Sequence, residues 1–434
     1  MIMDLKSKAG ELLKAWKGPD YVFGLNCIGT IGQTVAGFGN RVLLVANTGH
    51  LQAVVDEIVS SLGKSGLEVV GPIPGAKPNS PKEDAYRVAE AITGCRPDCV
   101  LAVGGGSTID VCKAASVLAC LGDSVSPDIE TYFGAGKVSA FLEKTNRNLI
   151  PLVAVQTSAS SGSHLTKYSN ITDMQSGQKK LIVDMAVVPR KALFDYGCSC
   201  SMPASVTVDG ALDALSHTIE SYWGAKPETF GKLEEICTTA VSLVLKYTLR
   251  AIKNPDDLEA REALGLATDL GGYAIMVGGT SGGHLTSFSL VDCTSHGTAC
   301  GLMNPYYAVF YGDAIQRQLK VLHGVFAEYG FADKATEVPE GRDLALAVAG
   351  AMIGFSRSIG APTKLTDLPL FRKDVHIPRA LKAAKDPDLK TKLQNMPVPM
   401  TADDVDVYMK GILDAACEEA FLGIATLNGI DPLA

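Results

Sequence analysis

The amino-acid sequence predicts an N-terminal α/β domain over residues 1–200 and an all-helical C-terminal domain over residues 201–434. Three features predict this division. The first half alternates short apolar strand segments with helical segments, which is typical of a parallel sheet flanked by helices. A run of three glycines follows one of these strands and opens a helix. From residue 205 onward, the apolar residues recur mostly with helical periodicity.

The elements of the first half follow one another in a regular order. The charged and apolar pattern of the first 18 residues predicts a short amphipathic helix rather than a secretory signal. Apolar runs predict buried strands over 42–46, 67–70, 99–103 and 151–155, with helices over 51–62, around 86–93 and from the glycine run to 118. This alternation predicts a parallel sheet.

Two loops of this half are candidates for holding a phosphate group. Gly104, Gly105 and Gly106 let the backbone approach a ligand, and the free N–H groups of the helix that they open attract a pyrophosphate. The segment 156–164 also follows a predicted strand, and its hydroxyls and amides suit the other side of the same ligand. Neither loop has the GxGxxG pattern, so an ordinary turn is the alternative for each.

The second half consists mainly of helical segments. Periodic apolar residues predict helices over 206–223, 231–252, 258–277, from 335 onward, over 376–384 and over 402–420. Thr401 and the acids that follow it predict a capped start for the last of these helices. The character of the chain changes near 198–203, which places the domain boundary there.

Four side chains of the helical half suit a metal. Asp213 and His217 are four residues apart in a helical pattern and therefore share one face, and His284 and His296 follow in small-residue surroundings. One carboxylate and three imidazoles suit Fe²⁺ or Zn²⁺, and a site with an open position suits catalysis. A single histidine in an apolar helix is usually a core residue, but the four together predict a metal site. Glu220 is expected to support this site rather than to bind the metal.

Composition excludes several classes of function. The net charge is −8 and no basic cluster is longer than a pair, which argues against nucleic acid or an anionic membrane surface as a partner. No apolar segment predicts a membrane span. The 11 cysteines are an odd number scattered over a long chain, so they predict no disulfide framework and favour a cytoplasmic protein.

Taken together, these motifs make the sequence resemble the iron-containing (group III) alcohol dehydrogenase family over nearly the whole chain. The order and approximate spacing of the matching segments are those of the family: GGGSTIDVCK from Gly104 to Lys113, QTSASSGSHLT, DALSHTIE, His284, SHG from Ser295 to Gly297, and GAPTKL. The resemblance implies a dinucleotide-binding α/β domain and a helical metal-binding domain, the architecture shared with dehydroquinate synthase.

The resemblance also implies functional residues. Asp213, His217, His284 and His296 would hold Fe²⁺, with Zn²⁺ as the alternative, and act in catalysis through the metal. Residues implied to contact NAD or NADP are Gly104, Gly105, Gly106, Ser107, Asp110, Thr157 and Ser158. The implied reaction transfers a hydride between a primary alcohol, or its aldehyde, and nicotinamide. A homodimer formed through the N-terminal sheet rests on the resemblance alone.

Three departures from the family pattern bear on function. Phe288 stands where many members have a further histidine that relays protons, and His164, which replaces the usual Glu of the serine-rich loop, is the candidate substitute. The segment between His284 and His296 is about two residues shorter than in well-known members. Asn47 stands where NAD-preferring members have an Asp that would repel a 2′-phosphate, which predicts that NADP is accepted.

Competing functions remain open from the sequence. A zinc-dependent polyol or glycerol dehydrogenase fits the same motifs. A lyase similar to dehydroquinate synthase would need several basic groups around a phosphorylated substrate, and the surroundings of Phe288, Leu290 and Cys293 are too apolar for that. A non-catalytic nucleotide-binding protein is the third alternative, because the relay histidine is missing.

Overall fold

A computed structural model of the chain describes residues 4–334 and 338–425. The structure divides into two compact units, one formed by Lys14–Met202 and the other by Met1–Leu13 together with Pro203–Ala434. The predicted amphipathic helix at the N-terminus is present as α1, Leu5–Lys17, which spans the division. Its first part therefore belongs to the helical unit, although it precedes the α/β unit in sequence.

The α/β unit is built on a six-stranded sheet in the order β1-β9-β6-β4-β2-β3, in which every neighbouring pair is parallel. A second, three-stranded sheet has the order β5-β8-β7. The strands are β1 Tyr21–Gly24, β2 Arg41–Ala46, β3 Glu68–Ile73, β4 Cys99–Gly104, β5 Gly134–Ala135, β6 Leu152–Gln156, β7 Tyr168–Asp173, β8 Gln178–Val183 and β9 Lys191–Asp195. The helices are α2 Ile31–Val35, α3 Gln52–Lys64, α4 Lys82–Cys95, α5 Gly106–Leu121 and α6 Lys137–Thr145.

The central strands are buried on both faces, which explains their continuous apolar sequences. Val42 and Leu44 of β2 pack into one core cluster, whereas Leu43 and Val45 pack into the cluster on the opposite face. In the sheet register, Ala46 pairs with Val103, and Gly104 pairs with Gln156. The segments after β2, β4 and β6 therefore leave the sheet at the same edge.

The second unit is helical among its described residues. Its helices after α1 are α7 Ala204–Trp223, α8 Phe230–Lys253, α9 Leu258–Val277, α10 Gly282–Ser287, α11 His296–Tyr311, α12 Gln316–Glu328, α13 Gly341–Ser358, α14 Lys373–Ala384, α15 Lys390–Gln394 and α16 Lys410–Glu418. In α7, nearly every residue after the second turn is buried. Polar side chains on a helix that is buried all round require polar partners. Asp213, His217 and Glu220 all lie on α7.

Two predicted helices start later than expected. The predicted start at 335 falls on residues 335–337, which lie outside the described residues, and α13 begins at Gly341. The carboxylate of Asp404 accepts hydrogen bonds from the backbone N–H and hydroxyl of Thr401. The chain there forms a turn, and the helix begins as a π-helical segment over Val405–Met409 before α16. The prediction of one regular helix over 402–420 is therefore wrong at its start, and α16 ends at Glu418.

Within the described part of the chain, each helix is too short or too polar to cross a lipid bilayer.

Candidate metal centre and cofactor loops

The four predicted ligands lie on three helices of the helical unit. Asp213 and His217 occupy successive turns of α7, His284 lies on α10, and His296 is the first residue of α11. Close approach of α11 to α7 requires Gly297, because a Cβ there would lie 2.0 Å from the carbonyl oxygen of Asp209 and 2.8 Å from Cβ of Asp213. The small residue after His296 thus brings this histidine to the carboxylate.

Three imidazole nitrogens converge on one carboxylate oxygen. Oδ1 of Asp213 lies 3.7 Å from Nε2 of His217, 3.6 Å from Nε2 of His284 and 3.8 Å from Nε2 of His296. These distances exceed those of hydrogen bonds, but they are close to the ligand separations of about 3.3–3.6 Å that a tetrahedral ion with bonds of about 2.0–2.2 Å requires. Asp213 is only 2% exposed. These three separations suit a cation beside Oδ1 of Asp213.

A second observation supports that fit. Nε2 of His284 is buried and has no hydrogen-bond partner within the described residues. A buried polar nitrogen without a partner is costly, and coordination to a metal removes that cost.

Glu220 orients one of the histidines, as the sequence predicted. Its Oε1 lies 2.7 Å from Nδ1 of His284, and its Oε2 accepts hydrogen bonds from the backbone N–H groups of Ser281 and His284. Metal-binding histidines usually donate their second N–H to such a carboxylate, which fixes the ring and the tautomer. His296 has a corresponding contact, because its Nδ1 lies 3.1 Å from Oγ of Ser287.

Burial and neighbouring groups shift the pKa values of His217, Glu220 and His284 in different directions. Burial lowers the pKa of His217 well below its usual value, so this ring is neutral at pH 7. Burial alone would raise the pKa of Glu220, but His284 and the N–H of Ser281 outweigh it and the pKa is lowered. Burial also opposes protonation of His284, yet Cys300 and Glu220 outweigh burial and raise its pKa. A divalent cation in the cluster would oppose that protonation.

Cys300 is a further neighbour of the cluster. Ligand atoms of Asp213, His284, His296 and Cys300 all lie within 4.8 Å of one another. His217 falls outside this set but keeps its contact with Asp213. The structure thus places the thiol of Cys300 among the candidate ligands.

Phe288 stacks on one of the candidate ligands, His296. Lys392, which the sequence did not indicate, lies over the ring of Phe288. The Phe288 ring stacks on His296 with centroids 6.0 Å apart, and Nζ of Lys392 lies 5.4 Å from the centroid of the Phe288 ring. Lys392 is buried and donates a hydrogen bond to Oγ1 of Thr280. Burial lowers the pKa of Lys392 to about 8. No periodic signal in the sequence connects this lysine with Phe288, which is 104 positions earlier.

The candidate cofactor loops lie together in the α/β unit. The backbone N–H of Thr157 donates to the carbonyl oxygen of Gly104 over 3.0 Å. A Cβ on Gly105 would lie 2.8 Å from Oγ of Ser158, and one on Gly106 would lie 2.1 Å from Oγ of Ser161. The glycines therefore allow the two loops to pack against each other at the start of α5.

The remaining predicted cofactor residues have identifiable positions. Ser107 lies in the first turn of α5. The amide nitrogen of Asn47 donates to the carbonyl oxygen of Ala76 over 2.9 Å. Asp110 is buried, and its carboxylate accepts hydrogen bonds from the Ser163 hydroxyl and from the backbone and side chain of Asn170. Asp110 therefore holds the serine-rich loop and the small sheet together.

His164 lies in the α/β unit, in an aromatic cluster. Its Nε2 lies 3.2 Å from the hydroxyl oxygen of Tyr21, and its ring packs against Tyr21 and Phe194. The side chain is 1% exposed. This environment accounts for the histidine as a packed residue of the α/β core.

The chain matches both domains of one enzyme family. Residues 18–196 match the model for iron-containing alcohol dehydrogenase, and residues 207–412 match the model for the C-terminal domain of the same family. A similar protein is the NAD-dependent methanol dehydrogenase of Bacillus methanolicus, 25% identical over 91% of this chain and 98% of that enzyme. The 1,3-propanediol dehydrogenase of Citrobacter freundii is 26% identical over 81% of this chain and 87% of that enzyme.

Solved structures show the same architecture. NADH-dependent butanol dehydrogenase A of Thermotoga maritima superimposes with a TM-score of 0.75 at 25% identity, over 92% of this chain and 97% of that one. Sulfoacetaldehyde reductase of Bifidobacterium kashiwanohense, solved with NAD+, gives a TM-score of 0.70 at 26% identity, over 92% of this chain and 96% of that one. The predicted combination of an α/β domain with a helical domain is confirmed.

The chain therefore belongs to the iron-containing alcohol dehydrogenase family. It is an oxidoreductase that uses iron and NAD(P) to interconvert alcohols and aldehydes. Family membership decides against the lyase and the non-catalytic nucleotide-binding protein that the sequence left open.

Proposed function

We propose that Asp213, His217, His284 and His296 hold the catalytic metal of this dehydrogenase. The observation that carries the proposal is the convergence of three imidazole nitrogens on one buried oxygen of Asp213 at 3.6–3.8 Å. A set of one carboxylate and three imidazoles suits Fe²⁺, with Zn²⁺ as the alternative.

The bound metal supplies a Lewis acid for the substrate oxygen, and NAD(P) supplies the acceptor or donor of the hydride. The side chains of this unit supply the surroundings. Glu220 fixes the ring of His284, and Ser287 contacts the ring of His296, so two ligands are held before the metal arrives. Phe288 covers His296 with an apolar ring, which keeps water from this side of the cluster.

The substrate class follows from the same surroundings. We infer a small primary alcohol or its aldehyde, because Phe288 and the thiol of Cys300 next to the ligands leave an apolar environment. An aromatic ring and a thiol offer few hydrogen-bond partners, so the single hydroxyl of a small alcohol suits them better than the several hydroxyls of a polyol.

The cofactor loops belong to the same proposal. We propose that Gly104, Gly105, Gly106 and Ser107 face the pyrophosphate at the N-terminus of α5, with Thr157 and Ser158 beside them. Asp110 acts from behind, by holding the serine-rich loop through Ser163. We also propose that Asn47 lets the enzyme accept NADP as well as NAD, and that the enzyme is a cytoplasmic homodimer.

Metal content measured after anaerobic purification tests the ligand set. We expect about one iron or zinc per parent chain, and loss of that metal in His296→Ala. His323→Ala is the matched control, because His323 lies on α12 outside the cluster and its removal should leave the metal in place. If His296→Ala retains as much metal as the parent, the proposed ligand set is wrong.

A further inference from the structure

A second group of metal-ligating side chains lies in the helical unit, apart from the Asp213 cluster. Sγ of Cys293 lies 2.9 Å from Nε2 of His376, and Oδ2 of Asp292 lies 3.4 Å from the same nitrogen. One ligand atom from each of the three residues lies within 4.8 Å of the other two. The His376 side chain is 3% exposed, whereas that of Asp292 is 47% exposed. A thiol, an imidazole and a carboxylate thus face a point that solvent can reach.

The imidazole of His376 is held in position from behind. Its Nδ1 lies 2.9 Å from both the backbone nitrogen and the backbone oxygen of Arg372, so it has a partner in either tautomer. In the tautomer whose Nδ1–H donates to that carbonyl, the lone pair of Nε2 points at Cys293 and Asp292. The ring of Phe371 stacks on His376 with centroids 5.3 Å apart. Backbone support of this kind is typical of metal-binding histidines.

The carboxylate of Asp292 is held in the same way. Both of its oxygens accept hydrogen bonds from Arg379, which also donates to the carbonyl oxygen of Ser289. Each carboxylate oxygen has two lone pairs, so an oxygen that accepts from Arg379 can still bind a cation. Arg379 partly offsets the charge of Asp292, which disfavours hard cations such as Mg²⁺ that bind through carboxylates. The affinity of a softer cation, which binds mainly through sulfur and nitrogen, is reduced less by Arg379.

We propose that Asp292, Cys293 and His376 form a second metal site that takes Zn²⁺, with a water molecule as fourth ligand. Thiolate, imidazole and carboxylate are the ligands that zinc prefers. A zinc-bound sulfur and nitrogen are about 3.5 Å apart, so binding replaces the thiol–imidazole contact and moves these two atoms apart by about half an ångström.

An activated nucleophile is the rival explanation for a thiol beside an imidazole. Burial and the charge of Asp292 raise the pKa of Cys293 to about 12, so its resting form is the thiol and not the thiolate. The negative charge of Asp292 disfavours the thiolate that a nucleophilic cysteine needs. In a zinc site, the same carboxylate is one of the ligands.

The proposed zinc would connect two elements that are distant in sequence. Asp292 and Cys293 lie four and three residues before His296, whereas His376 lies on α14, 83 residues after Cys293. Zinc bound to all three would fix the segment that leads to His296 against α14. The site would therefore stabilise the helical unit without taking part in hydride transfer.

Cobalt is the probe that distinguishes this site from the Asp213 cluster. Holoenzyme is incubated with Co²⁺, and the thiolate-to-cobalt charge-transfer absorption is recorded. We expect the band in the parent, in Cys300→Ser and in His296→Ala, and its loss in Cys293→Ser and His376→Ala. A band that survives in Cys293→Ser but disappears in Cys300→Ser would assign the thiolate to the other cluster and overturn the proposal.

Zinc alone gives the second measurement. We expect the parent to bind one more Zn²⁺ per chain than Cys293→Ser and to gain thermal stability on adding zinc, and the variant to gain none. Asp292→Asn is the variant to use if Cys293→Ser and His376→Ala impair folding. It keeps the thiol and the imidazole, and it should weaken zinc binding. Equal zinc counts in the parent and in a folded Cys293→Ser would overturn the proposal. His296→Ala separates the two sites, since it tests the catalytic ligands and leaves this site intact.

Discussion

The helical unit and the α/β unit build their candidate sites in different ways. In the helical unit, the candidate site consists of the side chains of Asp213, His217, His284 and His296, and a second carboxylate orients His284. In the α/β unit, the glycine run supplies backbone at a helix N-terminus, and the neighbouring side chains mostly bind to the protein itself. The first site depends on which atoms are present, and the second on how closely the backbone can approach.

The surroundings of Gly297 and Gly106 show that the two candidate sites also differ in rigidity. A Cβ on Gly297 would meet backbone atoms of Asp209 and Cβ of Asp213, which cannot move without shifting α7. A Cβ on Gly106 would lie 2.1 Å from Oγ of Ser161, which can rotate, and 2.8 Å from Cβ of Ser161, which moves only with its loop and not with a long helix. The metal centre should therefore tolerate an added methyl group less well than the cofactor loops do.

Gly297→Ala should have the largest effect. The added Cβ would push the start of α11, and with it His296, away from Asp213. We expect a loss of about 1–3 kcal/mol in the free energy of unfolding and a metal content well below that of the parent. Thermal unfolding and metal analysis measure the two effects.

Two further glycine variants serve as comparisons for Gly297→Ala. Gly350→Ala is exposed in α13 and its Cβ would meet nothing within 4 Å among the described residues, so it should be neutral or slightly stabilising. Gly106→Ala should raise KM for NAD(P) and keep the metal. If Gly106→Ala loses as much metal as Gly297→Ala, the contrast between the two regions is wrong.

Glu220→Gln should have an intermediate effect. The amide keeps the shape of Glu220 but not its charge, so it holds the ring of His284 less firmly and no longer offsets a bound cation. Loss of such a supporting carboxylate typically weakens metal affinity by about 10–100-fold. Competition with a chelator measures this affinity. Glu234→Gln on α8 is the control, since Glu234 contacts Tyr222 and not the cluster, and equal affinities in the two variants would contradict the supporting role.

Sequence patterns and structure agree best where neighbouring residues carry the signal. The shared helix face of Asp213 and His217 and the buried strands β2 and β4 were predictable from local periodicity. The candidate metal site also includes His284 and His296, which the sequence grouped with Asp213 and His217 by residue type but could not place in space. Their convergence depends on Gly297, whose requirement becomes visible once α7 and α11 are packed.

Other features had no local signal. Cys293 meets His376 across 83 residues, and Lys392 meets Phe288 across 104, so neither pair follows from helical or strand spacing. The hairpin of β7 and β8 lies in a stretch rich in polar residues, and β7 packs against α5. Thr401 was predicted to cap a helix. Instead, its backbone N–H donates a hydrogen bond to the carboxylate of Asp404 within a local turn. In each case a tertiary or competing local contact decides the structure.

Asn47→Asp should have the smallest effect, and it tests whether side-chain charge matters in the α/β unit at all. The carboxylate cannot donate to the carbonyl oxygen of Ala76 as the amide does, and its charge would repel a 2′-phosphate. We expect the ratio of kcat/KM for NADP to that for NAD to fall roughly tenfold, or about 1.4 kcal/mol. Asn47→Ala removes the same hydrogen bond without adding charge, so a matching fall in this variant would assign the effect to the lost hydrogen bond. If Asn47→Asp leaves the ratio unchanged, Asn47 does not select the cofactor, and backbone approach alone governs binding in this unit.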